Sequence, residues 1–171
     1  MATSMNNLAR VMQDQGELQR ARELHEKTLE LRRRLLGEEH PDVATSMNHL
    51  ASVIQDQGDL REARELYEKT LELYRRLLGE EHPRTLVGKA FLIRCAAEDG
   101  TGVPEDTPRE LASILRQLLT KAPPNSVYPV WVGRMLRESG GDPVSIVREA
   151  VDEKDAAAYA ALLDGPQYPG P

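Results

Sequence analysis

The chain has 171 residues, 40% of them hydrophobic and only 4% aromatic, so its apolar core has to be built from aliphatic side chains. With 22 Lys and Arg against 28 Asp and Glu, the net charge of −6 speaks against a general nucleic-acid binder, which needs a basic field to displace counterions from phosphates. No apolar run approaches the roughly 20 residues that span a bilayer, no basic segment followed by an apolar core opens the chain, and the single Cys95 leaves no intrachain disulfide or multi-cysteine metal site. One or two small domains in the reducing cytoplasm is the expectation.

Ala2 to Pro41 aligns with Ala44 to Pro83 at an offset of 42 without a gap, and only eight of the forty pairs differ. These are Asn7/His49, Arg10/Ser52, Met12/Ile54, Glu17/Asp59, Gln19/Arg61, Arg20/Glu62, His25/Tyr67 and Arg32/Tyr74. A fixed period of this length marks one structural unit used twice.

Each unit predicts two helices. In the first, Met5, Leu8, Ala9 and Met12 recur at i, i+3, i+4 and i+7, an apolar stripe on one helical face. Gly16 supplies the left-handed residue that ends it. The second carries Leu18, Ala21, Leu24, His25, Thr28, Leu31 and Leu35 on its inner side, and Gly37 closes it. His40-Pro41-Asp42 then starts the next unit, with Pro41 pre-set for a first helical turn and Asp42 at the positive end of the helix dipole.

Helix pairs of this kind cannot bury both apolar faces alone, so they stack into an array. The predicted fold is all-α: an α-solenoid of antiparallel helix pairs with a C-terminal helical capping region. The units resemble tetratricopeptide repeats, with Leu8, Ala9, Gly16, Leu18 and Ala21 at the family's packing positions. The run Leu36 to Ala44 and the Asn6-Asn7-Leu8-Ala9 segment are similar to the 42-residue, kinesin-light-chain type of repeat, which also recurs in bacterial signalling proteins.

A third copy begins at Arg84 and keeps Leu86, Ala90, Leu92 and Ile93, then loses register at Gly100 to Pro104. Thr107 is the expected N-cap of a delayed second helix, with Pro108 in its first turn and Glu110 completing a capping box. After Ala122-Pro123-Pro124-Asn125, short helices are predicted over Tyr128 to Glu138, after Asp142-Pro143, and over Asp155 to Leu163. The chain thus divides into repeats over 1–41 and 42–83, a degenerate third repeat over 84–122, a helical cap or small domain over 123–164 and a disordered tail over 165–171. Phe91 stands where the earlier copies have polar Asn7 and His49, in keeping with a capped end. Two copies fall short of the about three repeats usual for a robust array. The chain is therefore expected to be part of a longer protein or to pair with another copy through its first repeat.

A polar stripe runs along each first helix: Thr3, Asn6, Asn7, Arg10, Gln13 and Asp14, then Thr45, Asn48, His49, Ser52, Gln55 and Asp56. In tetratricopeptide arrays the first helices line the concave surface, so the resemblance implies a groove that grips a peptide or partner helix. Its expected contacts are Asn6, Asn7, Arg10, Gln13, Asn48, His49, Ser52, Gln55 and Arg94. A solvated helix face is the plainer reading of the same stripe.

Other chemistry is weakly represented. His40 and His82 recur before a proline and read as helix-start residues, His25 as a packing residue, and His49 faces the groove without a second ligand at i+3 or i+4. Arg32-Arg33-Arg34 and Arg75-Arg76 complement the negative helix end and the Glu38-Glu39 and Glu80-Glu81 pairs. No nucleophile, base and orienting group fall into a recognisable motif, and no glycine-rich phosphate loop is present. The expected function is a non-enzymatic protein-interaction module, without cofactor or metal, whose partners are proteins or peptides rather than nucleic acid or membrane. The alternative is a self-associating or regulatory segment of a larger, bacterial type of signalling protein.

Overall fold

A computed structural model of the chain describes residues 2–100, 106–122, 126, 128–151 and 153–164. Most of the loop expected after Gly100, the Pro123-Pro124-Asn125 break and the 165–171 tail lie outside the described residues. The described residues are helical throughout apart from turns, and they fall into two compact units, one up to Gly79 and one from Glu80 onward.

The first unit holds α1 (Ala2–Asp14), α2 (Leu18–Leu36), α3 (Pro41–Asp56) and α4 (Leu60–Leu78). Consecutive helices pack on each other, and α1 also touches α3, so the first helices of the two copies lie side by side. The tight turn inside each copy has one cause. Gly16 and Gly58, at φ +78° and +88°, accept the left-handed conformation that an L side chain resists. The bonds Glu17 N–H to Met12 O (2.9 Å) and Gly16 N–H to Gln13 O (2.9 Å) satisfy carbonyls that the helix leaves open. The same pair recurs from Asp59 and Gly58 to Ile54 and Gln55.

The core is small and aliphatic where helices approach closely: Ala9, Ala21, Ala44, Ala51 and Ala63 are all fully enclosed. Thr28 and Thr70 sit at equivalent buried positions, and each donates its hydroxyl to the carbonyl one turn back, Leu24 and Leu66 (2.8 Å), so neither costs an unmade bond. Helix starts follow the expected chemistry. The Nδ1 atoms of His40 and His82 accept from the N–H groups of Asp42 and Arg84 (3.1 Å), closing the first turns of α3 and of the helix that starts at Pro83.

Two apolar expectations need correction: Leu35, expected on the inner side of α2, is 70% exposed, and the α1 stripe is only partly enclosed. Of the α1 stripe, Ala9 is buried, but Met5 and Met12 are half-buried and Leu8 is 50% exposed, as is Val11. Their counterparts in α3, Leu50 at 8% and Val53 at 0%, are enclosed. The reason is that α3 lies between α2 and α4, whereas α1 packs chiefly on α2.

The second unit holds α5 (Pro83–Glu98), α6 (Thr107–Lys121), α7 (Tyr128–Glu138), α8 (Pro143–Ala150) and α9 (Glu153–Asp164). Helix α6 is its centre, packing on α5, α7 and α8 through buried Leu111, Ile114, Leu115 and Leu118. Thr107 is not the cap of α6: it lies within the helix, and Asp106 occupies the cap position without a side-chain cap bond of its own. Asp142 does cap α8, its Oδ1 accepting from Val144 N–H (3.0 Å) and Ser145 N–H (3.2 Å). Helices α7 and α9 come together at Gly133, where a Cβ would lie 1.9 Å from the Tyr159 hydroxyl. That hydroxyl donates to Pro129 O (2.9 Å), and burial raises its pKa.

Candidate interaction surface and the junction between repeats

The polar stripe of the first helices divides in the structure into an inner and an outer part. Asn7 is exposed, and Arg10, Gln13 and Ser52 are half-buried with solvent on one side. Asn6, Asn48, His49 and Gln55 are buried. Four of the expected contacts, Asn6, Asn48, His49 and Gln55, therefore lie inside the helix packing and not on an open groove. A side chain enclosed by its neighbours has no face left for a peptide.

The outer part forms a continuous polar surface across α1 and α3. Gln13 Nε2 donates to Ser52 Oγ (3.2 Å) and to Asp56 Oδ2 (2.6 Å), tying the two first helices together at their C-terminal ends. Arg10 lies in the field of Asp14, while burial lowers its pKa from the ordinary guanidinium value. Thr45 is held differently, donating to Pro41 O (3.0 Å) and meeting the Tyr74 hydroxyl (2.9 Å). Arg32, expected to neutralise a helix end, instead reaches α3 and donates to Asp42 O (3.0 Å) and Ser46 Oγ (2.8 Å). Neighbouring basic residues do pair with the glutamates: Arg33 with Glu38 (3.0 Å) and Arg76 with Glu39 (2.8 Å).

The inner part is a buried polar cluster that no sequence spacing announces. Asn6 of α1, His25 of α2 and His49 of α3 meet there. His25 Nδ1 is 3.1 Å from Asn6 Oδ1, His49 Nδ1 is 2.7 Å from Asn6 Nδ2, and the two rings are 5.5 Å apart. Burial, aided by Arg10, pushes the His25 pKa down to about 4. Burial holds His49 well below the ordinary range too, with added repulsion from His25, Arg10 and Arg32. In α3, Gln55 accepts from the Tyr67 hydroxyl (3.1 Å), a second buried polar contact.

Arg94 belongs to the second unit. It stacks over Phe91 at 5.3 Å, pairs with Glu98 at 3.6 Å and lines a cavity of about 210 Å³ with Thr107, Leu111, Met135 and Glu138. Among the described residues no group of three or more His, Cys, Asp or Glu is arranged to hold a metal ion. Nor is any described helix long and apolar enough to cross a membrane. Cys95 is buried and forms no disulfide.

A helical-repeat scaffold is the class that this fold and surface define. The tetratricopeptide-repeat family profile matches residues 1–42 and 43–84, and the chain belongs to that family through these two repeats. Among solved structures it is similar to the nearly identical TPR-like repeats of a protein assigned as kinesin light chain from Podosopora anserina: 22% identity, 95% of this chain, 73% of that one, TM-score 0.56. It is also similar to BtubC (BKLC) from P. vanneervenii, with 20% identity over 99% of this chain and 66% of that one, TM-score 0.63. At these identities the likeness establishes the fold. No curated protein sequence matches the chain.

Proposed function

We propose that the chain is a protein-interaction scaffold that holds a peptide or partner helix on the surface shared by α1 and α3. The observation that carries this reading is the Gln13 bridge to Ser52 and Asp56, which lays two first helices side by side and leaves amide, hydroxyl and carboxylate groups along one polar track. Asn7, Arg10, Gln13 and Ser52 are the contacts, offering donors and acceptors to a ligand backbone. Asn6, Asn48, His49 and Gln55 act beneath them, fixing where the helices lie. The chain is non-enzymatic in this reading, its tetratricopeptide repeats serving as a non-catalytic scaffold.

The test is selection of peptides from a random library against the full chain, followed by mapping of the retained peptides by backbone amide shifts. The reading expects perturbations on α1 and α3 and at least tenfold weaker binding by an Asn7→Ala, Gln13→Ala variant that keeps its helical content. Perturbations confined to α2 and α4, or unchanged affinity in the variant, contradict it.

A further inference from the structure

The two copies differ at eight of forty positions, and four of the differences supply the charged and titratable groups of one place. His25, His49, Arg10 and Arg32 meet where α1 and α2 pack on α3, while the positions matching them in the other copy are Tyr67, Asn7, Ser52 and Tyr74. We propose that this junction is a proton-sensitive joint: Asn6 locks His25 and His49 as a neutral pair, and proton uptake by the two rings releases α1 and α2 from α3.

An Asn side chain has one acceptor end and one donor end, and Asn6 uses both. Its Oδ1 can only accept, so His25 carries its proton on Nδ1 and its Nε2 is bare. Its Nδ2 can only donate, so His49 Nδ1 is bare and its proton sits on Nε2. The rings are thus held in opposite tautomers by a single amide. A further proton on His25 has to go to Nε2, which is buried and meets no hydrogen-bond partner among the described residues. On His49 it has to go to Nδ1, where the Asn6 N–H already points, so two donors collide.

The surrounding charges oppose either event. From α1 comes Arg10, with Asp14 beside it, and from α2 comes Arg32, anchored on Asp42 O and Ser46 Oγ. From α4, Tyr67 donates to Gln55 of α3. The charges felt by the two imidazoles are therefore cationic, and an added proton places a third or fourth positive charge in an enclosed space.

Once α1 and α2 separate from α3, both rings meet water and take protons near the ordinary value of 6.5. The closed form, whose rings resist protonation, keeps its full stability above that value. It loses stability as pH falls from 6.5 toward the His25 value of about 4. With two protons taken up on opening, the opening constant rises about 100-fold between roughly pH 7.5 and pH 5.5.

Urea unfolding of the full chain at these two pH values tests the joint, with His25→Tyr, His49→Phe as the comparison, since Tyr67 and Phe91 hold those positions one repeat on. The wild-type unfolding constant at fixed urea is expected to rise about 100-fold more than the variant's on acidification; an equal rise in both overturns the proposal. Should the double variant not fold, Asn6→Asp places a carboxylate between the rings and is expected to abolish or reverse the acid loss. A wild-type response in that variant likewise overturns it. Imidazole signals of His25 and His49 are expected to stay fixed from pH 7 to 5.5 in the folded protein, and titration near 6.5 contradicts the joint.

Discussion

Helices α1 and α3 carry nearly the same side chains in the same order, yet they meet different surroundings. Leu8 and Val11 stand half in solvent, whereas Leu50 and Val53, the same residues one repeat later, are enclosed. Ser4 is exposed and Ser46 buried for the same reason. Helix α3 is covered by α2 on one side and α4 on the other, while α1 has α2 and a narrow contact with α3. In a stacked array burial is a property of the neighbour as much as of the sequence, and stability is correspondingly a sum of unit and interface contributions.

The sharpest way to break this comparison is to make one substitution twice. Leu50→Ala removes an enclosed side chain and is expected to cost about 3 kcal/mol in urea unfolding, against under about 1 kcal/mol for Leu8→Ala. Equal losses would mean that α1 is covered in solution.

A smaller contrast lies at the second helices. Asp59 Oδ1 accepts from Glu62 N–H (3.1 Å) and caps α4, whereas its counterpart Glu17 makes no side-chain cap for α2. Asp59→Ala is expected to cost about 1 kcal/mol, and Glu17→Asp to gain about 0.5 kcal/mol by installing the missing cap. Thermal unfolding of the two variants reads both signs, and a loss from Glu17→Asp would refute the cap argument.

The smallest effect is expected at one of the ion pairs between the copies. Arg22 Nη2 lies 2.8 Å from Glu62, and the Arg22 pKa is raised, mostly by its hydrogen bond to Glu26. Both partners are partly exposed, so a double-mutant cycle on Arg22 and Glu62 is expected to give about 0.5 kcal/mol or less, falling with added salt. A coupling well above that would mark the pair as a lock between the repeats.

Much of the fold was legible in the sequence because its signals are local. The gap-free alignment of the two copies, the glycines after Gln15 and Gln57, and the His-Pro starts define where helices begin and turn without reference to any neighbour. The site was legible only in part. Period 3.6 separates apolar from polar faces, so it grouped Asn6 with Asn7 and His49 with Ser52. It could not register that α2 and α3 close over Asn6 and His49 and leave Asn7 and Ser52 outside. Nor could spacing bring together Asn6, His25 and His49, whose meeting depends on three helices packing at once. One signal was present: both histidines fall at positions where the copies differ, and differences between near-identical repeats are where one junction departs from the next. Thr107 misled for a simpler reason, since a cap motif states a preference and α6 begins one residue earlier than the motif requires.

Partner binding along the polar track across α1 and α3, as proposed, is read out by site-specific photo-crosslinking. A photoreactive residue is placed at exposed Thr3 or Asp14, on the first-helix stripe beside the proposed contacts, in one set of full-length proteins, and at exposed Glu23 or Glu65 on the second helices in another. With a peptide selected for binding, crosslinks are expected from the first set and none from the second; crosslinks from Glu23 or Glu65 alone would overturn binding on the first helices.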